Sequence, residues 1–318
     1  MEKDIVIFKR KEYSMEYALY VGNTECFSRV AGKYILKLNE SKKINRYLQK
    51  LDQTGKVLFS RIYFGSEFCE RMIPDIAEIK KAVGFCNKNA LSMSLLTPYV
   101  TDRALDKLKE IFELWQQIKP KNAEIIFNDW GVFHYLRQKY DFKLSIGRLL
   151  TKQKKDPSLI EAILDEKFFN LDTYSTAILK QSGIDASETL KNFILCNKIS
   201  RIELDNVYQG IESDFNIKKS LYYPFVPVAT TRFCKSPAYY FKKPFVKGKN
   251  PCNRECLTSL YSYSINNVKL FLKGNTQFYC NNKLPENISI FDRIVFEPPE
   301  LLFEITTQDL QSRTNFQL

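Results

Sequence analysis

The chain predicts an α/β fold: a (β/α) barrel-like single domain over residues 1–318, with a candidate metal-binding cysteine loop in its last third. Three observations predict it. Apolar runs of strand length alternate with segments of helical periodicity, the pattern of a mainly parallel sheet. The strand–helix units are numerous enough to close that sheet, and no Gly/Ser/Pro-rich linker divides them. Several strands end alike, in apolar residues followed by a polar cluster, and the C-terminal strand ends of a barrel form the mouth where sites are built.

The elements follow in order. IVIF (5–8) and ALYVG (18–22) read as strands. Ile44, Tyr47, Leu48 and Leu51 recur at helical spacing and predict a helix over 42–51. VLFSRIYF (57–64) reads as a strand, and Pro74 opens a helix to about Val83, since proline suits a first helical turn. Residues 91–101 read as extended. Thr101 caps a helix to Gln117 with Leu105, Leu108, Ile111, Phe112 and Trp115 on one face. EIIFND (124–129) is a short buried strand, 130–139 a helix and KLSIGRLL (143–150) a strand. Helical patterns cover 171–181 and 188–196. RIELDN (201–206) is a strand, YYPFVPVATTRFC (222–234) is largely extended, and YSYSI, KLFLKG and DRIVFE are three more strand-like runs. The polar strand ends nominate Asn128, Asp129, Arg148, Asp205 and Asn206 as substrate-binding residues at a shared mouth. Individually, Asp and Asn at such places also serve as helix caps and turn residues.

Hydrophobic residues at 44% and charged residues at 26% allow a sizeable core. No stretch approaches ~18 uninterrupted apolar residues, so no membrane span is expected. The N-terminal segment breaks its apolar runs with Lys, Arg and Glu, unlike a signal peptide, so the expected location is cytoplasmic. In a reducing compartment, eight cysteines point to metal or redox chemistry before disulfides. His134 is the single histidine. That argues against His-rich zinc hydrolase sites and leaves one candidate base for a catalytic triad. No HExxH or G-x-S-x-G motif occurs, and in GVFHYL a packing or surface role for His134 is the simpler reading. The net charge of +12 admits nucleic acid, an anionic surface or an acidic partner, but the lysines are spread along the chain as on a solvated basic surface. Only Lys242 to Arg254 is dense in charge, with Tyr239, Tyr240, Phe241 and Phe245 in or near it. These are the ingredients of RNA contact by stacking and phosphate pairing, and equally of a loop packed around a metal site.

Cys252 and Cys256 form CNREC, a C-x3-C pair, and Cys234 lies upstream with seventeen residues between it and Cys252. Thiolates at such spacing on a turn can meet one metal, and either an iron–sulfur cluster or structural zinc accepts four cysteines. Spacing leaves the fourth donor open among Cys26, Cys69, Cys86, Cys196 and Cys280. Cys196 in FILC reads as packing. Cys69 and Cys86 stand near helix ends with no close cysteine partner. Cys26 follows the strand ALYVG, and Cys280 follows a strand in GNTQFYCNN.

ALYVGNTECFSR (18–29), NDWG (128–131) with GRLLTKQKKDP (147–157), and TTRFC (230–234) with CNREC resemble three blocks of the collagenase-like peptidase family thirty-two, of unknown catalytic type. Together they span most of the chain. Within the family, the cysteine pattern is most similar to the V subunit of the pair that supports oxygen-independent ubiquinone biosynthesis. The separation of Cys234 from Cys252 is longer here, and NDWG and GRLLTKQ fit the wider family better. The resemblance implies a [4Fe-4S] cluster on Cys26, Cys234, Cys252 and Cys256, with zinc as the alternative. It implies a role in hydroxylating a ubiquinone precursor or RNA without molecular oxygen, and a paralogous family member as hetero-dimer partner. The family's older name implies peptidase activity instead, and an RNA-binding module with a structural metal is a third reading. Between Cys26 and Cys280, the resemblance favours Cys26, which barrel closure would bring beside the later strands.

Overall fold

A computed structural model describes residues 15–24, 42–52, 57–156, 159, 173–236, 252–257, 260–265 and 268–298. The expected strand at 5–8, Cys26 and most of the basic aromatic loop lie outside the described residues.

Eight parallel strands close a barrel: β1 (Glu16–Val21), β2 (Phe59–Gly65), β3 (Ser92–Thr97), β4 (Glu124–Phe127), β5 (Leu144–Ile146), β6 (Arg201–Asp205), β7 (Lys218–Tyr223) and β12 (Arg293–Phe296). Closure is made by β1 on β12, in register from Glu16 with Arg293 to Leu19 with Phe296. The helices are α1 (Lys42–Leu51), α2 (Ile76–Lys88), α3 (Asp102–Ile118), α4 (Trp130–Lys139), α5 (Thr173–Lys180) and α6 (Glu188–Cys196). Among the described residues, no helix is long and apolar enough to cross a membrane.

Strand alternation sorts the side chains. Leu19, Ile62, Phe64, Leu95, Ile125, Phe127, Ile202 and Leu204 join helix residues such as Ile79, Leu108, Phe112 and Leu136 in the main apolar core. Ala18, Tyr20, Tyr63, Leu96, Ile126 and Tyr222 belong to a second, smaller core inside the barrel. The helix starts follow local rules. Asp75 caps α2 in a reciprocal box with Glu78 at 2.8 and 2.9 Å. Thr101 stands at the α3 N-cap without a side-chain capping bond; its own N–H donates instead to Glu70 Oε2 at 2.7 Å.

The sequence reading missed a second sheet. β8 (Phe225–Thr230), β9 (Tyr261–Ile265), β10 (Val268–Lys273) and β11 (Thr276–Cys280) form an antiparallel sheet in the order β8-β11-β10-β9. The run 222–234 breaks at Pro224, whose ring nitrogen cannot donate to a ladder. Tyr222 and Tyr223 end β7 in the barrel, and Phe225 begins the other sheet. This sheet is thus inserted between the seventh and eighth barrel strands, starting from the C-terminal mouth.

The opposite end of the barrel is closed by charge. Glu16 accepts from Arg61 at 2.9 Å and Arg293 at 2.7 Å, and Asp292 takes both Arg201 terminal nitrogens at 2.7 Å. Glu124 pairs with Arg293 and accepts from Ser94 at 2.6 Å. Burial pushes Glu124 up, but the guanidinium groups of Arg293, Arg61 and Arg201 overcome it and hold it at about 2. At Glu203 burial wins, and its carboxyl is pushed up to about 8.

Candidate functional site

A cavity of about 430 Å³ opens at the C-terminal mouth, between the loops after β1, β2 and β3 and the inserted sheet. Cys69, Cys234, Cys252 and Cys256 all line it. Three separate chain segments deliver them, and local chemistry holds each. Cys69 sits in a turn closed by Ser66, whose Oγ donates to the Cys69 carbonyl at 2.9 Å and accepts from the Cys69 N–H at 3.2 Å. A short 3-10 turn, Glu70–Met72, follows. Cys256 sits in a second such turn, Glu255–Leu257.

The tip of the β10–β11 hairpin ties these segments together. Asn275 is buried, and its Nδ2 donates to the carbonyls of Phe68 at 2.6 Å and Thr231 at 2.7 Å, and to the Tyr99 hydroxyl at 3.2 Å. One amide therefore clamps the chain just before Cys69 and just before Cys234. Ser236 adds a bond to the Gly274 carbonyl at 3.3 Å. Gly274 has φ +62°, and a Cβ there would stand 3.3 Å from Cys256 Cβ and 3.7 Å from its sulfur. Glycine meets both demands, the left-handed turn and the close approach.

The thiols sense one another. Burial pushes Cys234 up to about 11, and charge on Cys69 and Cys252 adds to the rise. Burial likewise pushes Cys256 up to about 12, with Lys273 opposing and the other three cysteines reinforcing. Cys69 is raised by burial and by Cys252, against the N–H groups of Arg71 and Met72. Buried, mutually repelling thiols stay protonated unless a cation joins them, and a metal deprotonates its thiol ligands. Among the described residues no group of three or more His, Cys, Asp or Glu side chains is placed so as to hold a metal ion as the chain stands.

The strand-end residues nominated from sequence are brought together in part. Arg148 is wholly buried and donates to Glu67 Oε2 at 3.1 and 2.7 Å, Asp205 at 3.1 Å, Glu297 at 3.3 and 2.6 Å and the Phe225 carbonyl at 3.3 Å. Its guanidinium lies 3.9 Å from the Tyr222 ring centre and 5.1 Å from that of Phe68, a cavity-lining residue. Lys155 also pairs with Asp205. Asn128 spans the strand ends, donating to the Thr97 carbonyl and accepting from the Leu149 N–H, both at 3.1 Å. A Cβ on Gly147 would collide with its carboxamide. Asp129 caps α4 through the N–H groups of Gly131 at 2.7 Å and Val132 at 3.1 Å. Asn206 faces the inserted segment, donating to the carbonyls of Asn281 at 3.1 Å and Lys283 at 2.7 Å. Arg148, Lys152, Gln153, Lys155 and Thr230 line a second cavity of about 480 Å³.

Sequence reasoning missed Glu67 and Glu297. Both carry the signal used elsewhere, a polar residue just after an apolar strand, in IYFGSE and RIVFE. It also set Cys69 aside for want of a nearby cysteine, whereas the fold supplies three. Cys196 is exposed rather than packed, and Cys86 is buried in the main core. Cys280 does not line the thiol cavity; its sulfur lies 3.9 Å from the Tyr47 hydroxyl. His134 is exposed, with Gln138 at 2.9 Å.

No family model matches the chain, and no curated protein matches it. Among solved structures, the U32 peptidase Mk0906 aligns over 92% of this chain and 95% of its own, at 7% identity and a TM-score of 0.40.

Proposed function

We propose that the chain is an iron–sulfur protein. Cys234, Cys252 and Cys256 supply three thiolates to a [4Fe-4S] cluster, and the resemblance implies Cys26, outside the described residues, as the fourth. The observation that carries this reading is one cavity at the barrel mouth lined by Cys234, Cys252 and Cys256, with no histidine near. A chain with a single, exposed histidine can fill a four-ligand site with thiolates alone. When bound, the cluster would carry single electrons or hold a substrate from which oxygen is transferred.

The chain's own residues do the rest. Tyr20, Phe68 and Phe278 wall the cavity and limit water. Asn275 and Gly274 fix the cysteine turns. Arg71, Arg232 and Lys273 bring positive charge to the cavity wall, which suits an anionic ligand or the net negative charge of a thiolate-bound cluster. The substrate class follows the resemblance: a ubiquinone precursor or RNA, hydroxylated without molecular oxygen, together with a paralogous partner. Zinc on the same cysteines is the alternative, and metal analysis separates the two. Proteolysis would need a nucleophile beside a base, and His134 instead contacts Gln138 on an exposed helix face.

Anaerobic purification followed by iron, sulfide and zinc analysis tests the reading. About four irons and four sulfides per chain, with broad visible absorbance, are expected for a cubane cluster. One zinc per chain, or no metal after anaerobic reconstitution with iron and sulfide, overturns it.

A further inference from the structure

We infer that Cys69 is the fourth thiolate of this centre, in place of Cys26. The inference rests on the iron–sulfur reading and names a ligand that neither cysteine spacing nor the family resemblance assigns. Three geometric observations carry it. Cys69 lines the same cavity as Cys234, Cys252 and Cys256. The Asn275 amide holds the carbonyl just before Cys69 and that of Thr231 in the Cys234 turn, so the two segments cannot separate without losing a buried bond. The neighbouring Gly274 backs directly onto Cys256, which sets the third segment against the same hairpin tip.

The local turn suits a ligand. Ser66 ties up the Cys69 backbone N–H and carbonyl, which holds the residue in its turn at the cavity wall. The site then gathers donors from three loops: one after the second barrel strand and two from the inserted segment. Loading requires each thiol to give up its proton, so cluster assembly releases protons to solvent and is favoured as pH rises.

The test uses the full chain, reconstituted anaerobically with ferrous iron and sulfide, in the wild type and in Cys69→Ser, Cys26→Ser and Cys280→Ser. Visible absorbance, iron content and the electron paramagnetic resonance spectrum of the reduced protein are read. The inference expects Cys69→Ser to lose the wild-type absorbance and spectrum, while Cys26→Ser and Cys280→Ser keep both. Retention of both signatures by Cys69→Ser overturns it, as does their loss in Cys26→Ser. A thiol-labelling arm needs no variant. In the loaded wild type, iodoacetamide should spare Cys69, Cys234, Cys252 and Cys256, and chelation should expose all four. Labelling of Cys69 in the loaded protein overturns the inference even if the serine variant fails to fold. Failure of the wild type to take up iron overturns the iron–sulfur reading itself. Normal loading with an unprotected Cys69 overturns the ligand assignment alone.

Discussion

Replacing Arg148 with methionine should make the chain's stability steeply dependent on pH. Methionine keeps most of the side-chain length and removes the charge. In the wild type, the guanidinium meets Glu67, Asp205 and Glu297, and all four side chains are fully buried. Removing one member of a buried ion pair costs about 3–5 kcal/mol, because the partner charge stays behind. Three carboxyls share the loss here, although Lys155 remains on Asp205. Protonation can relieve it. Burial already raises Glu67, and pushes Glu297 to about 7, against the pull of Arg148. Without that pull both rise further. A carboxyl raised in the folded state contributes stability that is fully present below its unfolded value, near 4.3, and lost as pH rises through the folded value. In the variant this loss extends to higher pH than in the wild type. Urea denaturation should therefore show a cost of roughly 1 kcal/mol at pH 5 that grows to about 3–5 kcal/mol at pH 8. A cost equal at both pH values, or below about 1 kcal/mol at pH 8, would refute the view that Arg148 compensates buried charge.

Two further outcomes follow from the same structure. Asn275→Ala leaves the carbonyls of Phe68 and Thr231 without their amide, at about 1–3 kcal/mol for the buried Phe68 carbonyl and less for half-buried Thr231. Its thermal midpoint should fall and its Cys69 should alkylate faster in the metal-free protein; an unchanged melt would show that water replaces the clamp. At the acid end, Glu124 is held at about 2, and Glu16 and Asp292 are also lowered by their arginines. Their contribution is present above the unfolded value and lost as pH falls through the folded one. Glu124→Gln should thus flatten the loss of stability between about pH 4.5 and pH 2, followed by tryptophan fluorescence, and matching acid limbs in variant and wild type would count against the pairing.

The barrel was legible because each of its layers leaves a periodic mark. EIIF reads as a short, largely apolar run, RIELD alternates apolar residues for the outer core with charged ones for the inner face, and helices such as Asp102–Ile118 carry one apolar face. The inserted sheet leaves a weaker mark. In β10 buried and more exposed positions alternate over VKLFLK, the period of a one-sided strand rather than of a barrel strand. Its turn was also in the sequence. Gly274 and Asn275 separate Lys273 from Thr276, a paired position, which makes a two-residue hairpin loop. Weight given to that dipeptide separates the hairpin from the parallel strands.

The choice of fourth cysteine shows where sequence reasoning stops and what decides beyond it. β1 and β2 are parallel neighbours, paired from Tyr17 with Phe59 to Val21 with Phe64. Cys26 stands five residues after Val21, and Cys69 stands four after Gly65. β1 and β2 thus end at the same mouth, and the two cysteines follow them at nearly the same separation in sequence. Spacing cannot rank them, and closure of the barrel pairs β1, not β2, with β12. What ranks Cys69 is tertiary: a bond from Asn275 to the Phe68 carbonyl, made across 207 positions of sequence. A contact of that range leaves no periodicity, no cap and no local motif to read. It becomes visible only when the hairpin tip and the second strand's loop are seen at one mouth, and it is the ground on which Cys69 is proposed.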